Sequence, residues 1–250
     1  MKIRLAERGV RAVLLDIEGT TTPIVFVHGV LFPYARAHLR DHLAASWDTD
    51  ETQAAIRSLA NEHAADVSAG ASPPALRSGP AGIDRESIAA YAEWLMDRDR
   101  KSPGLKLLQG RIWEGGYHAG QLRGEVFADV PPAIRRWRGA GLDVAIYSSG
   151  SELAQRGLFA STEYGDLTLL LSGFFDTGMG AKGDAGSYAR IAIALRRLAF
   201  EVLFVSDVVA ELEAARAANL QTALCVRPGN APQPRAAEFD AIETFDGIEV

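Results

Sequence analysis

Two carboxyl groups two residues apart, Asp16 and Glu18, stand in the segment Asp16-Ile17-Glu18-Gly19-Thr20-Thr21-Thr22-Pro23, directly after the apolar run Val13-Leu14-Leu15. A short apolar run bounded by a Gly/Thr/Pro turn favours a buried strand. In a parallel sheet the ligand crevice lies beyond the carboxyl ends of the strands, so the pair is delivered into that crevice. Such a pair suits an Asp nucleophile, a Glu acid or base and a bound divalent cation. A plain turn or helix cap uses the same residue types. Three further polar signals, in a fixed order downstream, favour the chemical reading.

The first is Ser148-Ser149, placed directly after the apolar run Val144-Ala145-Ile146-Tyr147. Hydroxyls and backbone N–H groups between a strand end and a helix start form a phosphate site. Ser148 and Ser149 are therefore assigned to substrate binding, and Ser151 to capping the following helix. The second is Lys182 in the glycine-rich stretch Gly178-Met179-Gly180-Ala181-Lys182-Gly183-Asp184, where an ammonium can neutralise both a phosphate and the Asp16 carboxylate. The third is Asp207, which closes the run Val202-Leu203-Phe204-Val205-Ser206. Asp16 and Asp207, with waters and a phosphate oxygen, suit Mg²⁺, which prefers hard oxygen ligands. Glu211, one helical turn later, is expected behind the site or on the surface. His28 is expected on the surface of a flap rather than as a base.

The elements that must position these groups follow from periodicity. A first strand covers about Arg11 to Ile17, and the segment from about Phe32 to Gln121 is mostly helical, with helical spacing in Tyr34–Ala45, Glu51–Ala65 and Asp84–Met96 and another helix from Pro103 to about Arg123. Val67 to Ile83, rich in Ser, Ala, Gly and Pro, is expected to be a mobile loop. Strands and helices then alternate: helix 131–139, strand 142–147, helix from Glu152, helix 185–198, strand 201–205, helix 209–218, strand 221–226 and a short strand 240–244. That alternation implies an α/β fold, a Rossmann-like parallel sheet with helices on both faces. The early helical block is then an insertion packed as a cap over the crevice, with residues 1–26 and 122–250 forming the core domain and 27–121 the cap.

A chain of 250 residues with net charge −6 can hold such a core and insertion. Its charge gives no general attraction for nucleic acid or an anionic membrane, so an anionic substrate must be drawn by local groups. The single cysteine, Cys225, lies in an apolar run and cannot form an internal disulfide. No stretch is long and apolar enough to span a membrane. A cytoplasmic, monomeric enzyme acting on a small molecule is expected.

The order Asp-x-Glu-Gly-Thr, Ser after a strand, loop Lys and Ser-Asp after a later strand resembles the haloacid dehalogenase superfamily. The segments Asp16–Ile24, Leu31-Phe32-Pro33-Tyr34, Leu108-Gln109-Gly110-x-x-Trp113, Phe127-Ala128-Asp129-Val130, Ile146–Ser151, Gly173-Phe174-Phe175-Asp176-Thr177 and Val226-Arg227-Pro228-Gly229-Asn230 narrow the resemblance to the enolase-phosphatases of methionine salvage. It spans nearly the whole chain. Asp184-Ala185-Gly186, less acidic than that family's pattern, and the 67–83 segment depart from it. Most superfamily phosphatases have Asp two residues after the nucleophile; Glu18 is the longer residue that the enolase-phosphatases carry.

The resemblance implies a substrate, 2,3-diketo-5-methylthiopentyl 1-phosphate, and two steps, enolisation followed by phosphoryl transfer to Asp16. It also implies one Mg²⁺ per subunit held by the side chains of Asp16 and Asp207 and the backbone carbonyl of Glu18. Lys182 would spread charge, and Glu18 would protonate the leaving oxygen and then activate water. Glu18, Lys182 and a cap residue all stand as candidates for removing the carbon-bound proton. Trp113 and Tyr117 are expected to pack within the cap, with covering the methylthio tail as their other role. The alternative function is a Mg²⁺-dependent phosphatase of the same superfamily acting on another small ester. A metal-free dehalogenase has no need of Glu18 and Asp207, and a phosphate-receiving signalling domain is shorter and lacks the insertion.

Overall fold

The structure is a computed structural model that describes residues 2–79 and 82–250. In chain order it runs β1 (Ala12–Leu15), α1 (Phe32–Ser46), α2 (Asp50–Ser68), α3 (Arg85–Met96), α4 (Pro103–His118), α5 (Val130–Gly139), β2 (Asp143–Tyr147), α6 (Glu152–Ala160), β3 (Gly173–Phe175), α7 (Ala185–Ala194), β4 (Val202–Ser206), α8 (Val209–Ala217), β5 (Gln221–Cys225) and β6 (Ala241–Ile242). The chain divides into two compact units. One takes the chain up to His28 together with Leu122–Val250; the other is Gly29–Gln121.

The first unit is an α/β fold built on a six-stranded sheet in the order β3-β2-β1-β4-β5-β6, with every neighbouring pair parallel. The chain leaves β1 toward β2 and β3, then crosses back to place β4 on the other side of β1. Strand order reverses there, and the carboxyl ends of β1 and β4 border the crevice where open α/β sheets bind ligands. β1 and β4 are buried along their whole lengths, as a sheet covered on both faces requires. Leu14, Ala145, Tyr147 and Phe204 form one core with Tyr188 and Ile191 of α7 and Leu212 and Ala215 of α8. Alternate residues such as Val13, Val144 and Leu203 are also fully buried and face the opposite way.

The second unit is helical. Thr49, Asp84 and Ser102 cap α2, α3 and α4 through their side chains, which satisfies backbone donors otherwise left open at a helix start. Leu39, Leu43, Leu59, Ile88, Tyr91 and Leu95 are fully buried. Gly104 lets α4 approach α2: a Cβ there would lie 2.7 Å from the Leu59 side chain. The Trp113 indole N–H donates to the Leu31 carbonyl at 2.7 Å, so this tryptophan packs inside the helical unit.

Several elements differ from expectation. α2 continues to Ser68 because no breaker intervenes before Gly70, which has φ +82°. Within the segment expected to be a loop, Ser78–Gly79 pairs antiparallel with Gly82–Ile83, while Pro80 and Ala81 lie outside the described residues. α4 stops at His118, before the left-handed Gly120, and α7 at Ala194, before Arg196 at φ +57°. β3 has only three residues, too few for periodicity to reveal. The pairing of Ile3–Arg4 with Ile248–Glu249 is likewise too short to read. No helix among the described residues is long and apolar enough to cross a membrane.

One buried ion pair ties the loops at the sheet's carboxyl edge together. Arg227, 4% exposed, forks onto Asp129 at 3.0 and 2.9 Å and donates to the carbonyls of Thr20 at 3.1 Å and Glu243 at 3.0 Å. Arg227→Ala would leave the Asp129 carboxylate without its partner, and such losses cost about 3–5 kcal/mol. Urea unfolding should show a loss of that order. A change below about 1 kcal/mol would place the pair among solvent-screened ones.

Candidate active site

Asp16 directly follows β1 and its backbone N–H donates to Val205 of β4 at 3.0 Å, so the sheet ladder itself fixes its position. The next residues close a tight turn in which the Ile17 carbonyl accepts from the N–H groups of Thr20, Thr21 and Thr22 at 3.2, 3.0 and 2.8 Å. Thr21 Oγ1 adds a bond to the Asp16 carbonyl at 3.0 Å. Gly19 has φ +68°, and a Cβ there would lie 2.5 Å from Asp207 Oδ2. Glycine is required twice over, by backbone conformation and by the approach of a carboxylate.

Asp16 is 4% exposed and Lys182 is 9% exposed. The Lys182 ammonium donates to Asp16 Oδ1 at 2.6 Å and lies 2.6 Å from Glu211 Oε2. Glu211 in turn accepts from Ser206 Oγ at 2.9 Å. The lysine loop is held with unusual completeness. Four successive carbonyls, those of Met179, Gly180, Ala181 and Lys182, accept bonds from Arg190, Tyr147, Ser187 and Tyr188 respectively. A loop whose main chain is tied at each residue presents its side chain at a fixed point. Burial alone would lower the Lys182 pKa, but the adjoining Asp16 and Glu211 carboxylates outweigh it and raise it, so the ammonium stays charged.

Asp207 follows β4, is 8% exposed and flanks Gly19. Burial, reinforced by the Glu211 charge, pushes it up to about 6. Asp16 is pushed up to about 7, first by burial, against the pull of Lys182 and with the repulsion of Glu211 and Asp207 added. Three carboxylates with little access to water thus face one ammonium. A hard divalent cation is the group that this oxygen donor set lacks. Among the described residues no three His, Cys, Asp or Glu side chains form a metal cluster. A cation here would rest on Asp16 and Asp207 plus main-chain and water oxygens, the kind of partial cage that suits Mg²⁺.

Glu18 makes none of these contacts, though its charge adds to the rise at Asp207. Its side chain is 44% exposed and its Oε1 lies 2.7 Å from His28 Nε2. His28, expected on the surface, is half exposed and also partners Glu18. Ser148 and Ser149 follow β2 one and two residues beyond the level of Asp16, given the pairing of Leu15 with Ile146. Ser148 is half-buried and accepts from the Gly150 N–H at 3.2 Å, Ser149 is exposed, and Ser151 caps α6. Direct contact therefore joins Asp16, Lys182 and Glu211, with Asp207 across Gly19. Glu211, expected behind the site or on the surface, touches Lys182 itself, and its spacing of four after Asp207 is the signal that could find it. Arg227 and Asn230 entered only as parts of a family motif. Their contacts to the Thr20 and Gly19 carbonyls had no local signature.

A family model described as a haloacid dehalogenase-like hydrolase matches residues 10–219. The enolase-phosphatase E1 of Synechococcus elongatus is 50% identical over 241 residues, covering 96% of this chain and 98% of that protein. A Vitis vinifera protein named probable bifunctional methylthioribulose-1-phosphate dehydratase/enolase-phosphatase E1 1 is 45% identical, covering 95% of this chain and 47% of its own. Among solved structures, the UTR4 protein of Saccharomyces cerevisiae superposes with a TM-score of 0.72 at 34% identity, over 95% of this chain and 99% of that one.

The raised carboxylates make stability depend on pH with a definite sign. Asp16 at about 7 and Asp207 at about 6 lie above an unfolded value of about 3.9. Between about pH 4 and 7 the folded chain thus binds more protons than the unfolded one, and stability falls as pH rises through that window. In a chelator, the unfolding temperature should drop from about pH 5 to pH 8, and Asp16→Asn should flatten the slope. A rise across the window would show that Lys182 already neutralises the group.

Proposed function

We propose how the site works from one premise: the chain belongs to the haloacid dehalogenase-like hydrolases and, within them, to the enolase-phosphatases. It is a phosphoric monoester hydrolase of methionine salvage. The reaction assigned to it converts 2,3-diketo-5-methylthiopentyl 1-phosphate to the acireductone 1,2-dihydroxy-3-keto-5-methylthiopentene and phosphate. The observation that carries the phosphatase half is the Asp16–Lys182 contact beside Asp207 at the strand crossover. The helical unit Gly29–Gln121 is read as the cap. The buried free thiol of Cys225 favours a reducing, cytoplasmic setting, and the enzyme is read as a monomer.

Asp16 and Asp207, with the Glu18 carbonyl, would hold Mg²⁺, which when bound draws charge from phosphoryl and enolate oxygens. The side chains divide the remaining work. Lys182, kept protonated by its two carboxylates, cannot serve as the base that takes a proton from carbon. It supplies positive charge at the reacting phosphoryl group. In the sheet unit that leaves Glu18, whose carboxylate stands clear of the buried cluster. It removes the proton from the carbon bearing the ester, and the enolate that develops on the neighbouring oxygen takes a proton from water.

Asp16 Oδ2 then attacks phosphorus in line. As the ester P–O bond breaks, Glu18 returns its proton to the leaving oxygen. Glu18, again a carboxylate, draws a proton from the water that cleaves the aspartyl-phosphate, releasing phosphate and restoring Asp16, and then gives that proton to solvent, where it replaces the one the enolate took. Ser148 and Ser149, past the end of β2, are assigned to the phosphate oxygens. His28 holds the Glu18 carboxylate between these turns of duty.

A single assay tests this reading: the diketo ester, with and without Mg²⁺, followed by ultraviolet absorbance for the enol and by free phosphate. Metal-dependent appearance of both is expected. Asp16→Asn should lower phosphate release by about 10³-fold or more, as loss of a nucleophile does. Phosphate release from simple esters without turnover of the diketone would reduce the activity to that of another capped phosphatase.

A further inference from the structure

The loop after β5, Val226-Arg227-Pro228-Gly229-Asn230, is not used by the reaction steps above, yet it reaches the catalytic turn twice. Arg227 takes the Thr20 carbonyl at 3.1 Å, and Asn230 Nδ2 takes the adjacent Gly19 carbonyl at 2.9 Å and the Cys225 carbonyl at 3.2 Å. Two carbonyl acceptors on one side of the amide fix its orientation, because the flipped amide would set oxygen against oxygen. The amide oxygen must then face the other way. Asn230 Oδ1 is buried and has no hydrogen-bond partner. It lies 2.9 Å from the point where a Gly19 Cβ would stand, and Asp207 Oδ2 lies 2.5 Å from the same point. The two oxygens therefore border one small space beside Gly19, close enough to share a bridging water.

We infer that Asn230 is a positioning residue for the cation of this site: its amide nitrogen holds the Gly19 carbonyl, and with it the Glu18–Gly19 turn, while its amide oxygen accepts from a water of the hydration shell beside Asp207. A buried acceptor left unpaired costs about 1–3 kcal/mol, and a hydrated Mg²⁺, which keeps several of its waters, supplies the missing donor. Outer partners of this kind commonly change metal affinity by about 10–100-fold. The inference rests on the proposed Mg²⁺ site.

Calorimetric titration of Mg²⁺ into the full chain, without substrate, tests it in wild type, Asn230→Leu and Asn230→Asp, with thermal unfolding in chelator as the folding control. Asn230→Leu, similar in size but with no polar atom, should weaken Mg²⁺ binding by about tenfold or more. Asn230→Asp keeps an acceptor and loses the donor. It should bind Mg²⁺ at least as tightly as wild type, even where its unfolding temperature in chelator falls. Equal affinity in Asn230→Leu and wild type would overturn the inference and leave Asn230 a structural clamp. Weakening in Asn230→Asp as large as in Asn230→Leu would overturn the role of the amide oxygen. If wild type binds no Mg²⁺ at all, the cation reading itself fails, an outcome distinct from either.

Discussion

A single buried ammonium organises the site. Lys182 faces Asp16 and Glu211 directly, with Asp207 close enough to feel its charge. Charges buried with an imperfect balance are expensive, so the fold must hold them where mutual compensation is greatest. That requirement explains why so much of the surrounding polar structure holds main chain. Four side chains anchor the carbonyls of the lysine loop, and the Asp16 turn is closed by its own threonine N–H groups. The remaining surplus of negative charge is what the proposed hard cation would balance. It also means that the lysine is a fixed charge and not a proton carrier.

The same constraint accounts for the topology around it. Only at the crossover between β1 and β4 do two strand ends bring carboxylates together while a third element, the loop before α7, reaches across with a cation. The ladder bond from Asp16 to Val205 makes the spacing of the two carboxylates a property of the sheet. The Arg227–Asp129 pair then locks the flanking loops from behind. The chain breaks into its second unit only after His28 and returns at Leu122, so a large helical insertion leaves the charged cluster intact. Long insertions between fixed ends carry little entropic penalty.

How much of this was legible in the sequence follows from how local each signal is. Asp16 and Asp207 announce themselves because an ionisable residue at the end of an apolar run has few structural uses, and Lys182 because it follows them in a glycine-rich stretch. The buried strands β1, β2, β4 and β5 were readable for the same reason. β3, with three residues, carries no period to detect. α2 outran its expected end because the run before Gly70 contains no breaker, whatever the composition beyond it suggests. Glu211, Asn230 and Arg227 were harder. Each acts through a contact between elements distant in sequence, and such contacts are created by the sheet order, which periodicity does not encode.

Position 18 shows what surroundings can decide. Residues two apart in a strand share a face, but β1 ends at Leu15 and the chain turns at Ile17, whose carbonyl accepts from the N–H groups of Thr20, Thr21 and Thr22, so Glu18 stands off the strand. It stands 44% exposed and meets His28, outside the contacts that join Asp16, Lys182 and Glu211. In the proposed reaction, the group that takes a proton from carbon and later returns one to oxygen has to move between two atoms of the substrate. A short, buried carboxylate fixed by ion pairs could not do so. The chain thus separates two kinds of carboxylate by their surroundings alone. In the proposed reaction, Asp16 attacks from a fixed position and Glu18, exposed beside His28, exchanges protons. The division of labour comes from where the turn after β1 places each residue, and Gly19 makes that turn possible.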